Sequence, residues 1–150
     1  MSEMEIIRFL IDFYQLKETK IEFNDLFLLA KIITHEAGAE WLSEEWKLAV
    51  GEVLLNRVAS PEFANTIEDC IYEENQYANV KKEKFKQLLP KEYEILLALR
   101  LLKGERHLIP SAVFQAEFKQ GSEVYKVFKD PTKILSTTYI CLSKNKKLYK

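Results

Sequence analysis

The chemistry that this chain could perform is concentrated around one acidic residue, Glu36. Apolar residues precede it with the spacing of a helix that has a broad buried face, at Leu28, Leu29, Ile32 and Ile33. Glu36 follows Ile32 by four residues and therefore falls on or beside that face. A carboxyl group in such surroundings is poorly solvated, which raises its pKa and suits it to general acid catalysis. The alternative is a glutamate in the last helical turn that points into water.

Other kinds of catalytic site find less support. His35 and Glu36 begin a pattern that resembles the zinc-protease motif HExxH, but Ala39 occupies the position of the second histidine. A metal-dependent hydrolase that uses His35 is therefore the weakest interpretation, and we expect neither a metal nor a cofactor. The two cysteines, Cys70 and Cys141, are far apart and favour buried free thiols, with a disulfide between them as the alternative.

Most glycosidases need a second carboxylate beside the first. The candidates that follow Glu36 closely are Glu40, Glu44 and Glu45. Glu44 and Glu45 are better explained by the first turn of a helix that Ser43 caps, where the helix dipole favours negative charge. Glu40 is expected on a loop. The sequence around Glu36 therefore offers no convincing second carboxylate.

Several short motifs in one order resemble a known family, the cell-wall hydrolases that include the bacterial spore-cortex-lytic enzymes. The motifs are HEAGAE at 35–40, LNRV at 55–58, SPEFANTI at 60–67 and Gln76-Tyr77, with AVFQ at 112–115 as a looser match. The similarity is good over about 25–80 and weaker after Lys91.

The resemblance implies an α+β, mostly helical domain that is lysozyme-like or lytic-transglycosylase-like, with a small antiparallel sheet. It implies an enzyme that cleaves peptidoglycan glycan strands between N-acetylmuramic acid and N-acetylglucosamine, with Glu36 as the single general acid. Attack by the sugar's own 6-hydroxyl would give the 1,6-anhydro product of a lytic transglycosylase, whereas attack by water would make the protein a muramidase. The rival interpretation is a catalytically silent module for wall binding or phage assembly that keeps the fold.

Five residues are candidates to bind substrate. Gln76 matches the family position that faces the acid, and its amide offers the donor and the acceptor that an N-acetyl group requires. Tyr77 and Phe114 are candidates to stack on sugar faces. Gln115 follows Phe114 on a predicted strand, so only one of the two can line the groove. His35 adjoins the acid, and its imidazolium form would lower the pKa of the glutamate.

The elements that must position these residues follow from hydrophobic spacing and capping signals. Helices are predicted at 4–16, from Asn24 or Asp25 to about Ala37, at 43–58, from Thr66 to about 71, at 81–89 and at 92–103. β-formers at 112–116 and 137–142 predict a two- or three-stranded sheet. We therefore expect a single domain over 1–150, with an N-terminal helical extension at 1–20 and the hydrolase-like part at 24–143.

Bulk properties exclude several function classes. Among 150 residues, 47% are hydrophobic and 12% aromatic, which excludes a disordered chain. The formal net charge of −1 disfavours nucleic-acid partners. No apolar run reaches the roughly 20 residues that cross a bilayer, and no export signal is recognisable. We therefore expect synthesis in the cytoplasm and action on the cell wall, and a phage or prophage origin would reconcile the two. The oligomeric state is left open.

Overall fold

Helices lie between residues 23 and 102 and a small sheet between residues 112 and 142. The computed structural model describes residues 2, 5–6, 8–9, 21–73, 77, 80 and 82–149. The helices are α1 (Phe23–Ala37), α2 (Glu44–Val58), α3 (Ile67–Tyr72), α4 (Glu83–Gln87) and α5 (Glu92–Leu102). The strands are β1 (Ala112–Ala116), β2 (Glu123–Phe128) and β3 (Thr138–Leu142), followed by a 3₁₀ turn at Lys146–Leu148. The α+β, mostly helical class is therefore confirmed, while the predicted extension at 1–20 lies mostly outside the described residues.

The apolar face predicted before Glu36 forms part of the core. Leu29, Ile32 and Ile33 are fully buried where α1 packs against α2 and α5. Helix α2 is buried along most of its length because it also contacts α3 and strand β1. Burial on both sides explains why α2 carries apolar residues around most of its circumference.

Two of the predicted helix caps are confirmed and one is wrong. The hydroxyl of Ser43 accepts a hydrogen bond from the backbone N–H of Trp46 at 3.1 Å, and that of Thr66 accepts one from Asp69 at 3.0 Å. Helix α1 instead begins at Phe23, after Glu22, whose side chain makes no capping bond. Residues 24 and 25 therefore lie inside the first turn, where the helix dipole favours the aspartate.

The three strands form one antiparallel sheet in the order β1-β3-β2. Tyr139 of the central strand pairs with Ala116 of β1 on one side and with Val127 of β2 on the other. The carboxyl ends of the two outer strands therefore lie at the same end of the sheet. We call this the open end of the sheet.

Hydrogen bonds tie the end of α2 to the start of β1. The amide of Asn56 donates to the carbonyl oxygens of Ile109 and Ala112, both at 3.0 Å. Arg57 donates through Nε to the carbonyl oxygen of Val113 at 2.6 Å. All of these groups are buried or partly buried, so the bonds fix the sheet against the helix layer.

The two cysteines do not form a disulfide. Cys70 and Cys141 are buried free thiols on different elements, and the Cys70 thiol donates to the carbonyl of Ala64 at 3.0 Å. Of the helices in the described part of the chain, none has the length and apolar character that crossing a bilayer requires.

Candidate active site

Glu36 lies in the last turn of α1 and is half-buried. Burial is the largest influence on its carboxyl group and raises its pKa. The neighbouring His35 and the guanidinium of Arg57 act in the opposite direction, and Glu117 adds to the increase. The net effect is a pKa above the ordinary glutamate value. Such a carboxyl group keeps its proton at a higher pH than a solvated one, as a general acid requires.

A buried lysine holds the turn that follows Glu36. Lys47 of α2 is fully buried and donates from Nζ to the carbonyl oxygens of Ala37 at 2.6 Å and Ala39 at 3.0 Å. Its third partner is the carboxylate of Glu94 in α5, at 2.8 Å and also buried. Helix α1 leaves its last carbonyls without helical partners. Lys47 satisfies that of Ala37 and connects the end of α1 to α2 and α5.

An arginine that interacts electrostatically with Glu36 packs against two aromatic rings. The guanidinium carbon of Arg57 is 5.0 Å from the ring centroid of Tyr77 and 5.3 Å from that of Phe63. Phe63 in turn meets Phe114 edge to face, with ring centroids 6.2 Å apart. Since Arg57 also influences the titration of Glu36, these side chains form one cluster, which we call the arginine–aromatic cluster.

Tyr77 belongs to the arginine–aromatic cluster and remains a hydrogen-bond donor at neutral pH. Burial raises the pKa of its phenol to about 12, which Arg57 lowers and Glu36 raises further. Tyr77 therefore lies close enough to Glu36 for the two groups to interact electrostatically.

Three of the buried polar atoms that have no hydrogen-bond partner among the described residues lie on α2, on β1 and in the segment after α3. They are Nη1 of Arg57, the hydroxyl of Tyr77 and Oε1 of Gln115. Buried polar groups are paired in nearly all native structures, so each of these atoms is available to a hydrogen-bonding partner that the described residues do not supply. A sugar carrying an N-acetyl group and hydroxyls offers donors and acceptors of both kinds.

The remaining predicted binding residues are His35, Phe114 and Gln76. His35 packs its ring edge-on against Phe85 of α4, with centroids 5.0 Å apart, and lines a cavity of about 460 Å³ with Lys82 and Lys84. Phe114 contacts Phe63 and is thereby joined to the arginine–aromatic cluster. Gln76 lies outside the described residues.

Glu117 was missed as an acidic neighbour of Glu36. It is an exposed residue immediately after β1, and it reaches the acid only because the sheet packs on the helices. Two glutamates that are closer to Glu36 in sequence have other partners. Glu44 accepts a hydrogen bond from Tyr93 and pairs with Arg100, and Glu45 pairs with Lys126.

A metal site requires several close His, Cys, Asp or Glu ligands. In the ranges that the structure describes, no three His, Cys, Asp or Glu side chains come close enough to hold a metal ion.

Comparisons with known proteins identify one family. The family model described as Cell Wall Hydrolase matches residues 43–136. The matched segment contains Arg57, Tyr77, Phe114, Gln115 and Glu117, and it begins seven residues after Glu36. Searches of curated proteins and of solved structures gave no match.

Proposed function

The chain belongs to the cell wall hydrolase family, and from this premise we propose that it cleaves peptidoglycan glycan strands with Glu36 as general acid. The bond would be the one between N-acetylmuramic acid and N-acetylglucosamine. The observation that carries the proposal is the position of Glu36, whose pKa burial raises at the edge of the arginine–aromatic cluster. Membership of the family indicates the substrate, whereas the raised pKa of Glu36 indicates which residue acts as the acid.

Glu36 would act first as an acid and then as a base. Its protonated carboxyl group gives a proton to the glycosidic oxygen as the bond from that oxygen to C1 of the muramic acid breaks. The N-acetyl group of the same sugar stabilises the positive charge that develops at C1. The carboxylate of Glu36 then accepts a proton from the hydroxyl that attacks C1. One glutamate therefore suffices when the substrate assists itself.

The attacking hydroxyl decides the product. If it is the 6-hydroxyl of the muramic acid, the product carries a 1,6-anhydro end and the protein is a lytic transglycosylase. If it is water, the product carries a reducing muramic end and the protein is a muramidase. The partly buried position of Glu36 supports the acid step in both cases.

Substrate would be held by the polar atoms that lack partners. The hydroxyl of Tyr77 and the guanidinium of Arg57 would donate hydrogen bonds, and Oε1 of Gln115 would accept one. Phe114 is the alternative to Gln115, as an apolar surface, because only one of these two neighbours on β1 can line the groove. Gln76 keeps its proposed place opposite the acid. His35 would contact the substrate only where the bound glycan strand extends over the cavity beside Phe85.

The wider assignments are part of the same proposal. We infer from the motif resemblance that residues 24–143 form a lysozyme-like or lytic-transglycosylase-like domain and that 1–20 is a helical extension. The mostly helical α+β architecture with its small antiparallel sheet supports this grouping. We also infer action on the cell wall by a protein of phage or prophage origin.

The test is to identify the chemical ends that the wild-type protein creates in purified peptidoglycan. Mass spectrometry of the released fragments is expected to show 1,6-anhydromuramic or reducing muramic ends. Newly freed amino groups or lactyl-peptides without new glycan ends would contradict glycan cleavage. Binding to the wall without any released fragment would indicate the rival function, a silent binding module.

Glu117→Gln is expected to move the basic limb of the pH–activity profile to lower pH. The Glu117 carboxylate raises the pKa of Glu36, so its removal lowers that pKa, and a general acid works only while it is protonated. Initial rates of fragment release as a function of pH measure the shift. Glu123→Gln is the matched control, because Glu123 is an exposed glutamate at the opposite end of the sheet. An unshifted limb, or one shifted upward, would refute this prediction.

A further inference from the structure

Trp41 is a large aromatic side chain that the structure leaves exposed close to Glu36. It follows the acid by five residues, in the turn after α1, so their Cα atoms are at most about 18 Å apart. Its exposed fraction is 47%, whereas that of Trp46, the other tryptophan, is 4%. An exposed tryptophan beside a candidate active site is a candidate contact for a ligand.

The orientation of the Trp41 ring is fixed by a buried carboxylate. The indole N–H donates to Oδ1 of Asp130 at 3.0 Å. The same carboxylate accepts hydrogen bonds from the backbone and hydroxyl of Thr132 at 2.8 and 2.7 Å, and from the backbone of Leu135 at 2.8 Å. Since the polar edge of the indole is engaged by Asp130, its apolar surface remains available to a ligand.

Sheet pairing relates Trp41 to the acid. Asp130 lies two residues beyond the end of β2, and Glu117 lies one residue beyond the end of β1. Both therefore extend from the open end of the sheet, separated by β3, which corresponds to about 10 Å for two strand spacings. Glu117 lies near Glu36, and Asp130 holds Trp41. The open end of the sheet thus connects the surroundings of the acid with those of the tryptophan.

We propose that Trp41 is a sugar-stacking platform, a subsite for the same glycan strand on which Glu36 acts. The apolar face of a pyranose ring matches an indole face that is preorganised by its hydrogen bond, so little side-chain entropy is lost on binding. This proposal rests on the proposed function, because it takes the substrate to be a glycan strand. It adds a binding residue outside the arginine–aromatic cluster.

Fluorescence tests the platform directly, because the chain has two tryptophans. The probe is peptide-free peptidoglycan glycan strands, titrated into variants that also carry Glu36→Gln to prevent turnover. With Trp46→Phe added, the remaining Trp41 is expected to give a saturable change in emission. With Trp41→Phe added instead, the buried Trp46 is expected to give none. If the Trp46→Phe variant does not fold, the Glu36→Gln protein with both tryptophans is compared with the one that also carries Trp41→Phe. The emission change should then occur only in the protein that keeps Trp41.

Kinetics on glycan strands provide the second measurement. Trp41→Ala in the otherwise wild-type protein is expected to raise KM about three- to tenfold with little change in kcat, since a stacked ring contributes mainly to binding. Ile134→Ser is the matched control, because Ile134 is exposed on the loop that Asp130 organises. It is expected to leave KM unchanged.

The possible results separate this proposal from the proposed function. The platform proposal would be refuted if Trp41 emission did not change during the titration and Trp41→Ala left KM unchanged. This holds even if Glu36→Gln abolishes turnover. A saturable response of Trp41 without any strand cleavage by the wild type would support the platform while refuting the proposed function. An equal rise in KM for Ile134→Ser would also contradict the platform, because it would show that the effect on glycan affinity is not specific to the Trp41 ring.

Discussion

Glu36→Gln is expected to reduce the release of soluble fragments from purified peptidoglycan by about 10²–10⁴-fold, the usual contribution of a general acid. Glutamine keeps the size and polarity of the side chain but has no proton to give to the glycosidic oxygen. Initial rates measured at equal protein concentration and at the optimal pH of the wild type provide the comparison.

The same variant is expected to keep or increase its thermal stability. A raised pKa means that folding disfavours the carboxylate form of Glu36. In the pH interval between the unfolded and folded pKa values, the folded state binds more protons, so the free energy of unfolding falls as pH rises. A neutral amide removes that loss at neutral pH. Glu40→Gln, an exposed glutamate four residues further on, serves as the control and should change neither property. Full activity of Glu36→Gln would remove Glu36 from the mechanism.

Lys47→Met is expected to lower the free energy of unfolding by about 3–5 kcal/mol, the range for removing one partner of a buried ion pair. Methionine fills a similar volume but leaves the buried carboxylate of Glu94 without its cation. It also leaves the carbonyl oxygens of Ala37 and Ala39 without their donor. Urea denaturation followed by circular dichroism measures the change. Because Ala37 directly follows Glu36, the protein that remains folded should also lose activity.

A double-mutant cycle identifies the origin of that loss. Adding Glu94→Gln to Lys47→Met removes the unpaired charge, so the double variant is expected to be more stable than Lys47→Met alone. Lys91→Met provides a matched control, because Lys91 is exposed and donates to the carbonyl of Gly38 in the same turn. A loss below about 1 kcal/mol for Lys47→Met would show that the network contributes little, as exposed pairs do.

Local sequence signals were sufficient for most of the helices and for two strands. Ser43 and Thr66 are caps in the structure because their hydroxyls accept the expected backbone bonds. Strand β2 was not foreseen as a separate element, for a physical reason. β2 is an outer strand whose alternate residues Glu123, Tyr125 and Val127 are all exposed, so its apolar side chains do not mark one buried face in the sequence.

The candidate site depended more on tertiary packing than on sequence. The apolar stripe of α1 was enough to indicate a poorly solvated Glu36. Its electrostatic partners were not predictable, because Arg57 and Glu117 reach it through the packing of α2 and the sheet. Lys47 was equally hidden, since nothing local distinguishes a buried lysine from the exposed lysines that are the rule.

The central claim is that Glu36 is the protonated acid of the reaction, and its titration tests that claim most directly. The measurement is the pKa of Glu36 by carbon NMR of the carboxyl groups, assigned with Glu36→Gln, alongside the pH–activity profile. We predict a pKa above the ordinary glutamate range that coincides with the midpoint of the basic limb. Titration of Glu36 in the ordinary range, with activity persisting well above it, would contradict the account.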